Sequence, residues 1–561
     1  MAVARQRAGF WRIHPVLKWV AGGLLLILVG LGVTIAVLMH RAEPMLREVI
    51  VDRLQEHFHA RVELASFHIS LVNGLWAEGK GLKIWPPSEV VGVSVPGRSS
   101  FPPLIQIAEF RFHAPLSYKP GRPIRISVIE LKGLDVDVPP KTHFAHAQPP
   151  GRSTSNSKAT VSNLLRFVVS RIQCDDAHLT IETSKPGKLP LEFAIAHLNL
   201  SRVSEGGPMQ FDAELTNPRP AGLILTSGTL GPWKVEDPGE TPIGGKYHFD
   251  HADLGVFKGI AGILTSTGEY SGVLRDLVVD GQTDTPDFRL THFGTPVPLY
   301  TRFHAQVDGT NGDTWLQPVD ATLGQSHLIA VGQIVRQQAK TLRDGRTLPA
   351  GHDISLNVNV DRGNIADFLR LASHSGDPLL SGDLALKTSL DIPPGTDSVL
   401  ERMVLDGNFS LDDAEFASTK IQDWVSELSM RGQGKPKDAK AAAPDVRSTM
   451  QGDFQMAAEK VTLPNLKYTV PGAEIDLKGT YGIDGGTLDF AGSARTEAKI
   501  SQMVGGWKGW LLKPADRLFE KNGAGTQVPI HIRGTREDPK FGVDIDPLKH
   551  TTSPAIPGES H

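Results

Sequence analysis

The segment ISLNVNV, residues 354–360, sets Ile354, Leu356, Val358 and Val360 on one side of an extended chain and Ser355, Asn357 and Asn359 on the other. A period of two residues marks a strand with one buried and one wet face. The pattern recurs nearby. Leu384, Leu386, Leu390 and Ile392 oppose Lys387, Ser389 and Asp391, and Met403, Leu405, Phe409 and Leu411 repeat the arrangement. Ile354, Leu356, Val358, Leu384, Leu386, Leu405, Phe409 and Leu411 are therefore the expected floor of an apolar face. Amphipathic spacing predicts short helices over 365–372, 419–430 (Ile421, Trp424, Val425 and Leu428 aligned) and 500–512.

Towards the N-terminus the alternation is less regular but persists. Strands are expected near 316–323, 299–307, 272–281, 222–230, 210–216 and 193–200, and over IRISVIELKGLDVDV (124–138) and 105–112. In residues 62–71 the apolar positions fall in two phases, Val62 and Leu64, then Phe67, Ile69 and Leu71, which predicts a bulge or tight bend. Helices are expected over 44–57, started by Pro44, over 164–172, and over 252–264 from the spacing of Leu254, Phe257, Ile260, Ile263 and Leu264. With 57 Gly and 40 Pro the chain suits many short strands joined by turns. About 25 strands at about 4.8 Å each would make a sheet on the order of 120 Å across. The predicted helices are too few to cover its apolar face. Such a sheet either folds on itself into sandwiches or barrels, or stays partly open as a trough.

One stretch has a different period. WVAGGLLLILVGLGVTIAVLM (19–39) carries no charge and, at about 1.5 Å per residue, forms a helix of roughly 31 Å, the thickness of a bilayer core. Trp19, Leu24, Leu25, Leu26, Ile27, Leu28, Val29, Leu31, Val33, Ile35, Val37 and Leu38 are its apolar anchor residues. The run is too long for the apolar region of a signal peptide, and residues 37–40 offer no small-residue cleavage site. Arg5, Arg7, Arg12 and Lys18 precede it, which places the N-terminus in the cytoplasm and the bulk of the chain across the membrane. The expected organisation is a tail (1–18), the anchor (19–39), three β regions (40–150, 151–345 and 346–546) and a disordered tail (547–561).

Chemistry-bearing motifs are scarce. A net charge of -4 with 21% charged residues offers no footprint for nucleic acid, and the one cysteine, Cys174, excludes an internal disulfide framework. No phosphate loop, dinucleotide fingerprint, HExxH or nucleophile elbow occurs. His57 with His59, and His143 with His146, lack a carboxylate or cysteine set at ligand spacing. DGTNGD (308–313) lacks the alternating carboxylates and terminal Glu of a calcium loop and reads as a hairpin turn. Asp280, Asp284 and Asp287 sit in DGQTDTPDF, which reads as turn chemistry. No enzyme activity and no cofactor are expected. Trp507, Trp510, Leu511 and Leu512, beside Lys508 and Lys513, form either a membrane-interface helix end or a plug for the last sheet.

The order of these parts, an anchor, a Pro-started helix, LVNGLWAEGKGLKI (71–84) and IRISVIELKGLDVDV (124–138), resembles the AsmA-like family of envelope proteins. Residues 228–290, from GTLGPWKVEDPG to TDTPDFRL, are similar to the corresponding region of that family, as are VPGAEIDLKGTYGI (470–483) and GAGTQVPIHIRGTREDPKFGVDI (523–545). The resemblance implies a mainly β protein: a transmembrane helix followed by an elongated, twisted antiparallel β-groove with short amphipathic helices. It implies an inner-membrane anchor, a periplasmic body in a diderm bacterium, and an apolar interior that binds phospholipid and conducts it towards the outer membrane. An outer-membrane or periplasmic protein partner is implied where the groove is too short to cross alone. The alternative is an envelope scaffold that influences outer-membrane protein biogenesis without moving lipid. The resemblance brings no catalytic residue.

Overall fold

The computed structural model describes residues 43–56, 60–70, 75–85, 103–114, 124–138, 167–182 and 185–543, the last without 186–187, 204–206, 219, 235–236, 292–294, 342–344, 346, 372–377, 437–445, 484–485, 505–524 and 537. The span 19–39, both His pairs and Trp507 to Leu512 lie outside the described residues. Among the described residues 68% are in strands, and no helix is long and apolar enough to cross a membrane. The chain divides into two compact units, one of Met1–Val138, Thr142–Leu179 and His197–Met209, the other of Pro139–Lys141, Thr180–Ala196 and Gln210–His561.

In the first unit β1 (Val62–Ser70), β2 (Leu75–Ile84), β3 (Ile105–Ala114) and β4 (Ile124–Val138) pair in order, all antiparallel. The expected bulge in 62–71 is absent: the register runs unshifted from Val62 opposite Ile84 to Ser70 opposite Trp76. A crease changes the phase instead. Ala65, Gly81, Ala108 and Gly133 fall on one line across the four strands, and Gly81 and Gly133 have φ of 65° and 63°. A left-handed residue mid-strand turns the following side chains to the other face. Val62, Leu64 and Phe67 thus enter one core with Leu82, Ile107 and Phe110, against which Leu46, Ile50, Val51 and Leu54 of the helix 43–56 pack. That helix also serves the backbone of β1: Arg47 Nε donates to Leu64 O at 3.1 Å, and Glu43 accepts from Ile69 N at 3.1 Å. Backbone groups of a strand satisfied by side chains are withdrawn from pairing with other strands.

Next come β5 (Phe167–Ile181), β6 (Leu191–Ser201) and β7 (Met209–Pro218). The helix expected over 164–172 is overturned, because 167–181 is one strand. The β-branched Val168, Val169 and Ile172 favour the extended chain over a helix that lacks a packed partner.

The second unit contains β8 (Ala221–Leu230), β9 (Pro242–Asp253), β10 (Ile260–Ala261), β11 (Ile263–Val273), β12 (Asp276–Thr285), β13 (Arg289–Leu290), β14 (Leu299–Asp308), β15 (Asp313–Leu323), β16 (Ser326–Gln337), β17 (Lys340–Thr341), β18 (Thr347–Leu348) and β19 (Gly351–Asn364). It continues through β20 (Leu380–Ile392), β21 (Val404–Phe416), β22 (Ser448–Ala457), β23 (Lys460–Val470), β24 (Ala473–Gly482), β25 (Thr487–Thr496), β26 (Thr526–Thr535) and β27 (Pro539–Val543). Apart from the short pairs β10–β13 and β17–β18, each strand from β8 onward pairs antiparallel with the next. Register shifts at Leu316/Val319, Val360/Gly363, Leu411/Ala414 and Leu463/Leu466, among others, bend the ladder, and the sheet curls as a half-barrel.

Other expectations in this unit are corrected. Residues 252–264 form a 3-10 turn (Leu254–Val256) and the two-residue β10 rather than a helix. Gly259 and Gly262, at φ of 102° and 143°, interrupt the helical spacing. The strand expected over 272–281 is two strands, turned at Leu274–Arg275. DGQTDTPDF is strand as far as Thr285, so Asp280 and Asp284 are cross-strand residues. Helices are found at Ile365–Leu371, Val399–Arg402, Thr419–Gly432 and Ile500–Val504.

The crease makes a stability prediction. A Cβ on Gly81 would lie 2.9 Å from that of Ala65 in a left-handed conformation. We expect Gly81→Val to destabilise the first unit by about 1–3 kcal/mol, read as a lower urea midpoint in tryptophan fluorescence. An unchanged midpoint would refute the crease.

Candidate ligand-holding face

The register of the second unit assembles the alternating residues into rows. One row passes from Ile224 through Val360, Leu386, Phe409 and Leu466 to Ile530, each opposite its neighbour in the ladder, with Ser266, Thr283, Thr301, Ala321 and Gly452 among the intervening positions. A parallel row passes from Gly228 through Tyr270, Ala305, Leu356 and Leu405 to Leu488. Neither row contains a charged side chain from β8 to β26. Three pairs of hydroxyls on this face bond to one another: Thr283 with Thr301 at 2.7 Å, Thr226 with Tyr270 at 2.7 Å, and Tyr247 with Ser266 at 3.1 Å. Burial raises the pKa of the Tyr247 and Tyr270 phenols, and a hydrogen bond to each only partly offsets it. The face therefore stays neutral and offers few free hydrogen-bonding groups.

This is the inner face of the curl. Ala305, Ala321, Ala330 and Val360 are buried here. The turns at 254–262 and 393–403, with β12, β14, β15, β16 and β19 between their hairpins, touch through Val399 N donating to Lys258 O at 2.8 Å. Turns so far apart in a sheet can meet only if the sheet bends round on itself.

All eight floor residues expected from the sequence lie on this face of β19–β21, and the structure brings them together: Leu356 by Leu390 and Leu405, Val360 by Leu386 and Phe409, and Leu384 by Leu411. They differ in access. Leu384 and Leu411 are sealed, 4% and 1% exposed, in a cluster with Ala414 under Ile365 and Phe368 of the helix Ile365–Leu371. Ile354, Leu356, Val358, Leu386, Leu405 and Phe409 are half-buried, Leu386 and Phe409 packing against the rim of that cluster. Sequence reasoning missed the row members outside the cleanest strands, such as Leu466, Leu477 and Ile530. Their alternation is broken by bulges, and only the register places them.

The opposite face carries the charged side chains, with Leu225, Val278, Tyr300, Trp315 and Val331 exposed among them. Lys246 pairs with Glu269 at 2.7 Å, His304 with Asp280 at 2.7 Å, and His327 lies 3.2 Å from both Asp361 and Asp320. An open hollow of about 860 Å³ on this side is bordered by Asn357, Asn359, Lys387, Asp406, Asn408 and Asp453. Among the described residues no three His, Cys, Asp or Glu side chains converge as a metal-ligand set. Cys174, in the first unit, is buried, and desolvation pushes its thiol up to about 11, the opposite of an activated nucleophile.

DGTNGD is a hairpin turn between β14 and β15, and it is also a buried polar knot. Asp308, Asn311 and Asp313 are 5%, 0% and 4% exposed. Lys185 Nζ reaches Asp308 at 2.6 Å, and Lys188 Nζ reaches Asp313 at 2.9 Å and Arg336 O at 2.9 Å. Asn311 closes the turn by donating to Asp308 and accepting from Asp313 N. The cations that satisfy these carboxylates come from more than a hundred residues upstream, so no local motif announces them.

No family model, curated protein or solved structure matches this chain.

Two outcomes test the knot. Removing one partner of a buried pair leaves the other charge stranded, so Lys188→Met is expected to cost about 3–5 kcal/mol in chemical unfolding, and Asp313→Asn in the same chain to recover part of it. At Asp308 burial alone would raise the pKa, but hydrogen bonds from Lys185 and Thr310 outweigh it and hold the carboxyl below its ordinary 3.8. A depressed folded-state pKa means the unfolded chain binds the proton more tightly. The contribution of Asp308 is thus present above pH 3.8 and fades as pH falls through the lower folded value. We expect Asp308→Asn to be less stable than the parent at pH 7, with the gap closing as acid titration passes below pH 3.8. A pH-independent gap would contradict this assignment.

Proposed function

We propose that the second unit binds phospholipid acyl chains along the inner face of its curled sheet, in an AsmA-like protein anchored by residues 19–39 in the inner membrane with its body in the periplasm. The observation that carries this reading is the pair of uncharged rows running through consecutive strands, half-buried at Leu386 and Phe409 in one and at Leu356 and Leu405 in the other. Holding an acyl chain out of water is worth about 0.8 kcal/mol per methylene. A face without charge in its rows and with few free hydrogen-bond donors lets a chain slide while breaking few directional contacts. Headgroups stay in solvent at the rim. Such a conduit acts by binding and needs no nucleophile or cofactor, and directed towards the outer membrane it would serve lipid homeostasis there.

The test keeps the chain whole and in its membrane. A photo-crosslinking amino acid replaces Leu386 or Phe409 in the full-length protein, expressed in a diderm envelope and irradiated there. We expect a phosphorus-containing adduct of phospholipid mass at both positions and none at Asn408 on the wet face. Replacing Phe409 by Asp should reduce the adduct at Leu386 at least tenfold. Adducts with polypeptide alone would replace this reading with the envelope scaffold, and equal adducts on both faces would overturn it.

A further inference from the structure

The turn 254–262 and the turn 393–403 are each braced internally. Asp253 accepts from Gly255 N at 2.8 Å, Asp287 accepts from Ile263 N at 2.8 Å, and Thr291 N donates to Gly259 O at 3.1 Å. On the other side Ser398 and Glu401 form a reciprocal cap on the short helix Val399–Arg402, and Arg402 Nε donates to Asp397 O at 3.1 Å. The two stiff elements meet at the Lys258–Val399 backbone hydrogen bond and at buried Gly259, whose Cβ, if present, would lie 2.9 Å from Val399 N and 3.1 Å from Ser398 Cβ. The two turns cap opposite ends of the strands, and in a flat sheet with five strands between their hairpins they would stand about 29 Å apart across the strands and about a strand length apart along them. Here their turns meet, and the contact spans the open side of the curl.

We propose that the contact of Lys258–Gly259 with Ser398–Val399 is a latch across the inner face: closed, it bridges the mouth of the curl between β9 and β21, and a lipid enters sideways only when it parts. The inference rests on the acyl-chain reading above. Gly259 is the pivot, since only a residue without a side chain lets the two turns approach this closely. The internal bracing of both turns makes parting a movement of two stiff elements rather than an unravelling of strands.

The experiment places Lys258→Cys and Val399→Cys in the full chain, leaving Gly259 in place, with Cys174→Ala to remove the native thiol. The Lys258–Val399 backbone hydrogen bond keeps the two Cα atoms within the roughly 4.4–6.8 Å that a disulfide spans. Uptake of a phospholipid with a fluorescent acyl chain, from phosphatidylethanolamine–phosphatidylglycerol vesicles, is followed in the oxidised and reduced forms of the same protein. The latch predicts at least tenfold slower uptake when the disulfide is present, verified by mass, and full recovery on reduction. Gly259→Val, which pushes the turns apart, should take up lipid at least as fast as the parent. Thiols that fail to join under oxidant would overturn the latch, as would equal rates in both forms. No uptake by the parent would overturn the acyl-chain reading and the latch with it, whereas uptake indifferent to the disulfide overturns the latch alone.

Discussion

An antiparallel strand sends alternate side chains to opposite faces, and from β8 to β26 the chain spends one of those faces on residues that water does not solvate well. A sheet this wide cannot hide that face under a handful of short helices. Curling is the remaining way to reduce its exposure, because a concave surface shields itself. The bulges, the meeting of distant turns and the buried alanines at 305, 321 and 330 all follow from that constraint. Residual exposure at Leu356, Leu386 and Phe409 is what a curl without full closure leaves behind.

Curling so many strands requires close backbone approach, and glycine opposite an aromatic ring is the recurrent device. Tyr247 faces Gly268, Phe303 faces Gly281 and Phe490 faces Gly479, each ring lying where the missing Cβ would be, at 2.7, 2.6 and 2.6 Å. The ring covers the bare backbone of its neighbour while filling the inner face, the arrangement that restores packing at glycines in sheets. Gly79 and Phe110 repeat it in the first unit. The same glycines that make the sequence look rich in turns therefore lie within strands.

This explains which parts of the fold could be read from the sequence. The strands around 354–360, 384–392 and 403–411 were legible because nothing interrupts their period within the stretch that matters, and the helices at 365 and 419 because their apolar spacing has a sheet to pack on. The helix expected over 164–172 failed because Val168, Val169 and Ile172 satisfy a three-four spacing and a strand equally well, and only the neighbouring chain decides. The helix expected over 252–264 failed because Gly259 and Gly262 belong to a turn whose partner, Val399, lies 140 residues away. The phase change at 62–71 was visible, but its cause was not: the left-handed residues sit in β2 and β4. The floor residues of the candidate site were legible one strand at a time. Their continuity is a property of register, which no single strand encodes.

The inner face along β20 and β21 is unevenly covered. At Leu384 and Leu411 the helix Ile365–Leu371 completes a sealed cluster, and a buried polar knot fastens it: Asp367, 2% exposed, accepts from Gln325 N at 2.9 Å and Ser326 Oγ at 2.8 Å. Two residues along, Leu386 and Phe409 are half-buried, as are Leu356 and Leu405. Fixing one end this firmly removes any gain from admitting a ligand there, since an occupant would have to break the Asp367 contacts and uncover an already dry cluster. The acyl chain proposed above would therefore lie across the strands, along the rows, rather than beneath the helix.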